Sequence, residues 1–183
     1  MLLFRKQMTD YLNLPMGDKA PELVNAVVEV PLRGVNKYEY DKELQVFRLD
    51  RALYSPVHYP GDYGFIPSTL AGDGDALDVL VLVDSPSFSG CVIEVKPIGI
   101  LQMVDQKAED EKILAVARKD PRYGELKEYT EINSHLLREI EHFFSIYKEL
   151  EGKQTQMHGW KDANAARKII TEARERFGSR KAA

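Results

Sequence analysis

The sequence predicts a mainly β chain with α (α+β): a small closed antiparallel barrel with two C-terminal helices packed outside. Two observations carry this. The first two-thirds hold five or more short β-patterned runs between Gly, Pro and Asp turns, and beyond Asn133 the apolar spacing changes to three and four. The pattern alone admits a sandwich as well as a barrel. With 183 residues, 44% hydrophobic and 30% charged, the chain suits a single domain, 1–183, that buries roughly 70% of its unfolded surface.

In order, residues 23–32 form a β-rich run in which Glu29 is the one acid. Residues 37–40 alternate, 41–43 turn and 45–49 return, which predicts a hairpin with Lys37 and Glu39 on one face. Residues 51–67 read as an irregular aromatic loop, because Pro56, Pro60, Gly61, Gly64 and Pro67 interrupt any ladder. Strands follow at 78–83, at 91–104 with a bend at Pro97 and Gly99, and at 112–117. Leu136, Leu137, Ile140, Phe143, Phe144 and Tyr147 then make 133–150 an amphipathic helix capped by Asn133 or Ser134. A second helix is expected over 162–177, capped by Asp162 and ended by Gly178, with Trp160 as a packing anchor before it.

The net charge of −4 argues against nucleic-acid and anionic-membrane partners and favours a small ligand accompanied by cations. Cys91 is the single cysteine, read as a buried structural thiol. No stretch approaches 18 apolar residues, and residues 1–6 are too short a run for a signal peptide, so a cytoplasmic location is expected.

Gly72 to Asp78 sets three carboxylates within six residues, just before an apolar strand. Two unit charges 4 Å apart repel by about 4 kcal/mol at an effective dielectric of 20, so clustered acids call for cations. Oxygen-only ligands suit Mg²⁺, Ca²⁺ or Mn²⁺. A plain Asp-Gly turn is the competing reading, and an EF-hand fits poorly because Leu77 and Asp78 stand where that loop needs Asp or Asn and then Gly.

A second acidic loop, 105–110, also ends a strand. At one mouth of the barrel the two loops would gather Glu29, Glu39, Asp73, Asp75, Asp78, Asp105 and Asp110. Lys37, Arg51, Lys112 and Lys148, with Tyr59, Tyr63 and Tyr147, would ring them with cationic and hydroxyl donors. Metals together with cations suggest a phosphate-rich anion as substrate.

In these residues the chain resembles the soluble family I inorganic pyrophosphatases, from about Asn13 to Phe177. Val-Glu-Val-Pro at 28–31, Lys-Tyr-Glu at 37–39, Leu-Asp-Arg at 49–51, the 59–67 segment, Asp-Gly-Asp-x-x-Asp at 73–78, Asp105 with Asp110 and Lys112, and Tyr147-Lys148 follow the family order. The resemblance implies a five-stranded OB-like barrel, Mg²⁺-dependent hydrolysis of pyrophosphate with Mn²⁺ as a substitute, and a homo-oligomer, a hexamer being favoured. It implies Asp75 as the general base and Asp73, Asp78, Asp105 and Asp110 as metal ligands. Lys37, Arg51, Tyr63, Lys112, Tyr147 and Lys148 would bind the phosphoryl groups, and Glu29, Glu39 and Tyr59 would support them. His58 is expected to be structural, and His142 to lie on a helix surface or in an interface.

Two positions depart from the family pattern: Ala76 stands where proline is usual, and Gln106 where a glutamate normally follows the aspartate. The competing functions are an OB-like module stacking single-stranded nucleic acid on Tyr59 and Tyr63 and a catalytically impaired homologue.

Overall fold

The computed structural model describes residues 9–106 and 108–182, so the reading of residues 1–6 lies outside the described chain. Its elements are β1 (Val24–Val30), β2 (Asn36–Asp41), β3 (Val46–Ala52), β4 (Asp62–Phe65), β5 (Asp78–Leu82), β6 (Val92–Asp105), β7 (Ala108–Glu109), β8 (Lys112–Ala117), α1 (Ser134–Ile146), β9 (Thr155–Asp162) and α2 (Ala163–Ala182).

Five strands close a ring, in which β1 pairs β4, β4 pairs β5, β5 pairs β8, β8 pairs β6, and β6 returns to β1. This is the expected barrel, with one difference. β5 and β8 run parallel, Val79 beside Ile113, because the chain crosses the barrel as β6 before β8 returns antiparallel to it. Strand β6 is the spine: its first residues pair β1, its middle pairs β8 with a register shift between Pro97 and Gly99, and its end pairs β9 and β7. The β2–β3 hairpin forms a separate two-stranded sheet.

Val79, Val81, Ile113 and Ala115 pack with Ala166, Ile170 and Ala173 of α2, while Leu80, Leu82, Leu114 and Val116 pack with Ile140, Phe143 and Phe144 of α1. Buried on both faces, β5 and β8 therefore read as continuous apolar runs. Each valine, leucine, isoleucine or phenylalanine among them contributes roughly 1.5–3 kcal/mol on burial. Leu136 and Leu137 pack against the same cluster as Ile140, so the apolar face of α1 is spent on its own barrel and gives no argument for an oligomer interface.

Several expectations need correction. The 51–67 segment contains β4, whose four residues are all buried; Pro60 and Pro67 flank this strand rather than interrupt it. Gly64 sits so close to β1 that a Cβ there would lie 1.9 Å from the Val27 carbonyl oxygen. Strand β9 was not expected, because Thr155 to Asp162 is largely polar and pairs only β6, with Gly159 at φ +85° beside a bulge. Trp160 lies in this strand and stacks on Tyr129, ring centroids 5.8 Å apart.

Asn133 caps α1 by accepting the His135 amide at 2.8 Å, and Asp162 accepts the Ala165 amide at 2.8 Å at the start of α2. The first helix stops at Ile146, before a short 3₁₀ turn, Glu149–Glu151. The second continues through Gly178, since a glycine inside an exposed helix costs only about 1 kcal/mol. Cys91 is half-exposed rather than buried, because it lies in the turn leading into β6. His58 is exposed on its loop, and His142 lies on the surface of α1. Among the described residues no helix is long and apolar enough to cross a membrane.

Candidate active site

The parallel β5–β8 pair brings the first residues of both strands to one edge, so Asp78 meets Lys112 there. The tight β6–β7 turn, with Gln106 in the left-handed region at φ 48°, folds the second acidic loop back, and the Asp110 amide donates to the Met103 carbonyl at 2.9 Å. Asp110 thereby joins the same lysine. The Lys112 ammonium, 3% exposed, bridges Asp78 and Asp110. Burial works against that charge, but the two carboxylates outweigh it and raise the lysine pKa.

Tyr63 of β4 donates its hydroxyl to Asp78 at 2.6 Å. Lys148, just beyond α1, pairs with Asp105 and lies over the Tyr147 ring at 5.1 Å, while Asp105 Oδ1 is buried with no hydrogen-bond partner among the described residues. At the rim the 71–78 loop is held by the Ala71 amide donating to the Asp75 carbonyl at 2.7 Å and the Asp75 amide donating to Asp73 Oδ1 at 3.1 Å. Asp73 and Asp75 stand exposed, with no ion pair among the described residues. Partial burial, then Asp73 and Asp78, push the Asp75 carboxyl above its ordinary range.

Facing them, Lys37 pairs with Glu39 on β2. Glu29 of β1 accepts the Tyr40 amide at 2.8 Å, and burial pushes its carboxyl up to about 8. Glu29, Lys37, Glu39, Tyr59, Tyr63, Asp73, Asp75, Asp78, Asp105, Asp110, Lys112, Tyr147 and Lys148 all line one cleft of about 1130 Å³. Arg51 does not line it. It stands opposite Lys37 across the hairpin, its Nε donating to Glu151 at 2.8 Å and its Nη1 to Asp50.

Glu151 and Asp50 are site neighbours that sequence reasoning missed. Glu151 lies one hundred residues from Arg51 in sequence, and no local pattern signals such a contact. Tyr59 and Tyr63 are 1% and 6% exposed and packed on Phe143 and Phe144, so neither presents a face on which a base could stack.

The acids offer only hard oxygen donors, and Asp105 Oδ1 is a buried acceptor without a partner among the described residues, so the residues suit a divalent cation of the Mg²⁺ class. Among the described residues no three His, Cys, Asp or Glu side chains converge into a ready cage. Lysines hold the inner acids instead.

The model of the family described as inorganic pyrophosphatase matches residues 26–178. Among curated relatives, the inorganic pyrophosphatase of Halalkalibacterium halodurans is 50% identical over 157 residues, 86% of this chain and 96% of that one. That of Methanosarcina mazei is 50% identical over 155 residues, 85% and 92% of the two chains. The crystal structure of inorganic pyrophosphatase from Thermus thermophilus superposes with a TM-score of 0.90 at 44% identity, covering 93% of this chain and 99% of that one. An OB-like ring of five strands, an acidic cleft ringed by lysines, and these likenesses agree: the chain belongs to the inorganic pyrophosphatase family.

Proposed function

We propose that this protein hydrolyses inorganic pyrophosphate to two orthophosphates by in-line attack of water, with several Mg²⁺ ions per site and Mn²⁺ able to replace them. The observation that carries the reading is the cleft itself, whose lining sets Asp73, Asp75, Asp78, Asp105 and Asp110 with Lys37, Lys112 and Lys148. An anionic substrate enters such a cleft only with cations, and acids crowded there hold them.

In this reading Asp73, Asp78 and Asp110 would hold the ions that activate water, and Asp105 with Asp110 would hold ions that come with the substrate. When bound, the ions supply an acidified water and neutralise charge on the phosphoryl oxygens. Asp75, exposed at the rim with its carboxyl shifted upward, takes the proton from that water. Lys37, Arg51, Lys112 and Lys148 bind phosphoryl oxygens, with the Tyr147 hydroxyl as a further donor, whereas Tyr63, expected to bind phosphate, already gives its one hydroxyl hydrogen to Asp78. Glu29, Glu39 and Tyr59 hold these groups in place. No nucleophile of the chain becomes phosphorylated, so positioning and electrostatics carry the rate enhancement.

The same reading places the enzyme in the cytoplasm, which its single cysteine suits, and makes it a homo-oligomer, a hexamer being favoured. Light scattering at micromolar protein that finds only monomer removes the oligomer. The activity is tested by phosphate release from pyrophosphate: turnover with Mg²⁺ and none in excess chelator is expected, whereas chelator-insensitive release or no release with either metal rejects the reading.

A further inference from the structure

We infer that Glu151 is a positioning residue for Arg51, fixing the direction of its guanidinium on the hairpin. The inference rests on the reading of Arg51 as a phosphate-binding group. Glu151 Oε1 accepts Arg51 Nε at 2.8 Å, and Oε2 lies 3.3 Å from Lys153 Nζ. The glutamate side chain is 8% exposed, yet it is lower in pKa than usual: burial raises it, and Arg51 and Lys153 outweigh that. It is therefore a committed anion rather than a surface acid.

Asp50 takes Arg51 Nη1 from the other edge. With two of the three guanidinium nitrogens fixed, Nη2 remains buried without a partner among the described residues. The Tyr59 hydroxyl is a second buried donor without a partner among the described residues, and burial, Tyr147 and Asp78 hold its pKa well above the ordinary value. A buried guanidinium nitrogen without a partner calls for an anionic oxygen. A guanidinium held at both Nε and Nη1 is fixed in direction as well as charge, which a single ammonium contact is not.

The location adds a second consequence. Glu151 ends the 3₁₀ turn that follows Tyr147 and Lys148, so its contact with Arg51 ties the β2–β3 hairpin to the exit of α1.

The test compares wild type, Glu151→Gln, Glu151→Asp, Arg51→Gln and the double variant Glu151→Gln/Arg51→Gln. Three readouts are used: KM and kcat for pyrophosphate, thermal melting, and the rate at which phenylglyoxal modifies Arg51, followed by peptide mass spectrometry. Glu151→Gln is expected to raise KM about 5- to 20-fold with kcat within about twofold, since it removes orientation common to ground and transition states. Melting should stay cooperative, and Arg51 modification should accelerate several-fold. Glu151→Asp should recover part of the KM, and Glu151→Gln should add nothing to Arg51→Gln. An unchanged KM and modification rate, additive losses in the double variant, or loss of the melting transition overturns the positioning role. A wild type that releases no phosphate breaks the functional reading instead, while the modification rates still judge the pair.

Discussion

The two tiers of the acidic cleft are built alike and kept differently. Its inner carboxylates, Asp78, Asp110 and Asp105, are each neutralised by a buried or half-buried lysine, whereas the rim pair, Asp73 and Asp75, is exposed and bonded only through its own loop. The difference teaches where a cation meets resistance. At the rim it finds uncompensated charge; inside it competes with Lys112 and Lys148 for carboxylates already paired.

The largest expected effect comes from the rim. Asp75→Asn should cut turnover by about 10²- to 10⁴-fold, the usual worth of general base catalysis, while Mg²⁺ affinity measured by calorimetry changes little. Near wild-type turnover removes Asp75 from the chemistry. In the inner tier, Lys112→Met leaves Asp78 and Asp110 without their shared counter-ion and should destabilise the metal-free protein by about 3 kcal/mol in urea unfolding. Added Mg²⁺ should restore much of that loss; a variant as stable as wild type without metal would mean that the two tiers do not differ.

Glu29, on the facing wall, sharpens the comparison through pH. Its folded pKa is raised to about 8, so the stability of its neutral form is complete below the ordinary value near 4.5 and is lost as pH rises toward 8. Metal-free unfolding free energy should therefore fall across that window by up to about 1.4 kcal/mol per pH unit, and Glu29→Gln should flatten the fall. Equal slopes in both proteins discard the assignment. The smallest effect concerns Gln106, which lines the cleft beside the inner acids. Gln106→Glu should lower the Mg²⁺ needed for half-maximal activity by roughly threefold through the added charge, and coincident titrations would show that its side chain adds nothing to the metal field.

The placing of the rim acids was legible in the sequence as three acids in six residues before an apolar strand, which fits a turn as well as a cation loop. The segment is a turn held by Ala71, Asp73 and Asp75. The inner tier was legible only as composition. That Asp78 and Lys112 touch follows from the parallel β5–β8 pairing, which local patterns do not encode, since a crossover through β6 sets it. Strand β4 was hidden by its flanking prolines, and β9 by polar residues suited to pairing with one neighbour. Glu151 was invisible for a related reason: its partner is supplied by the packing of the α1 exit against the hairpin.

The central claim is that these aspartates form one divalent-cation site, and calorimetric titration of Mg²⁺ into metal-free protein tests it most directly. Wild type should bind saturably, and a variant carrying Asp73→Asn, Asp78→Asn and Asp110→Asn should lose that binding while keeping a cooperative melting transition. A folded variant that binds Mg²⁺ as tightly as wild type would contradict the account.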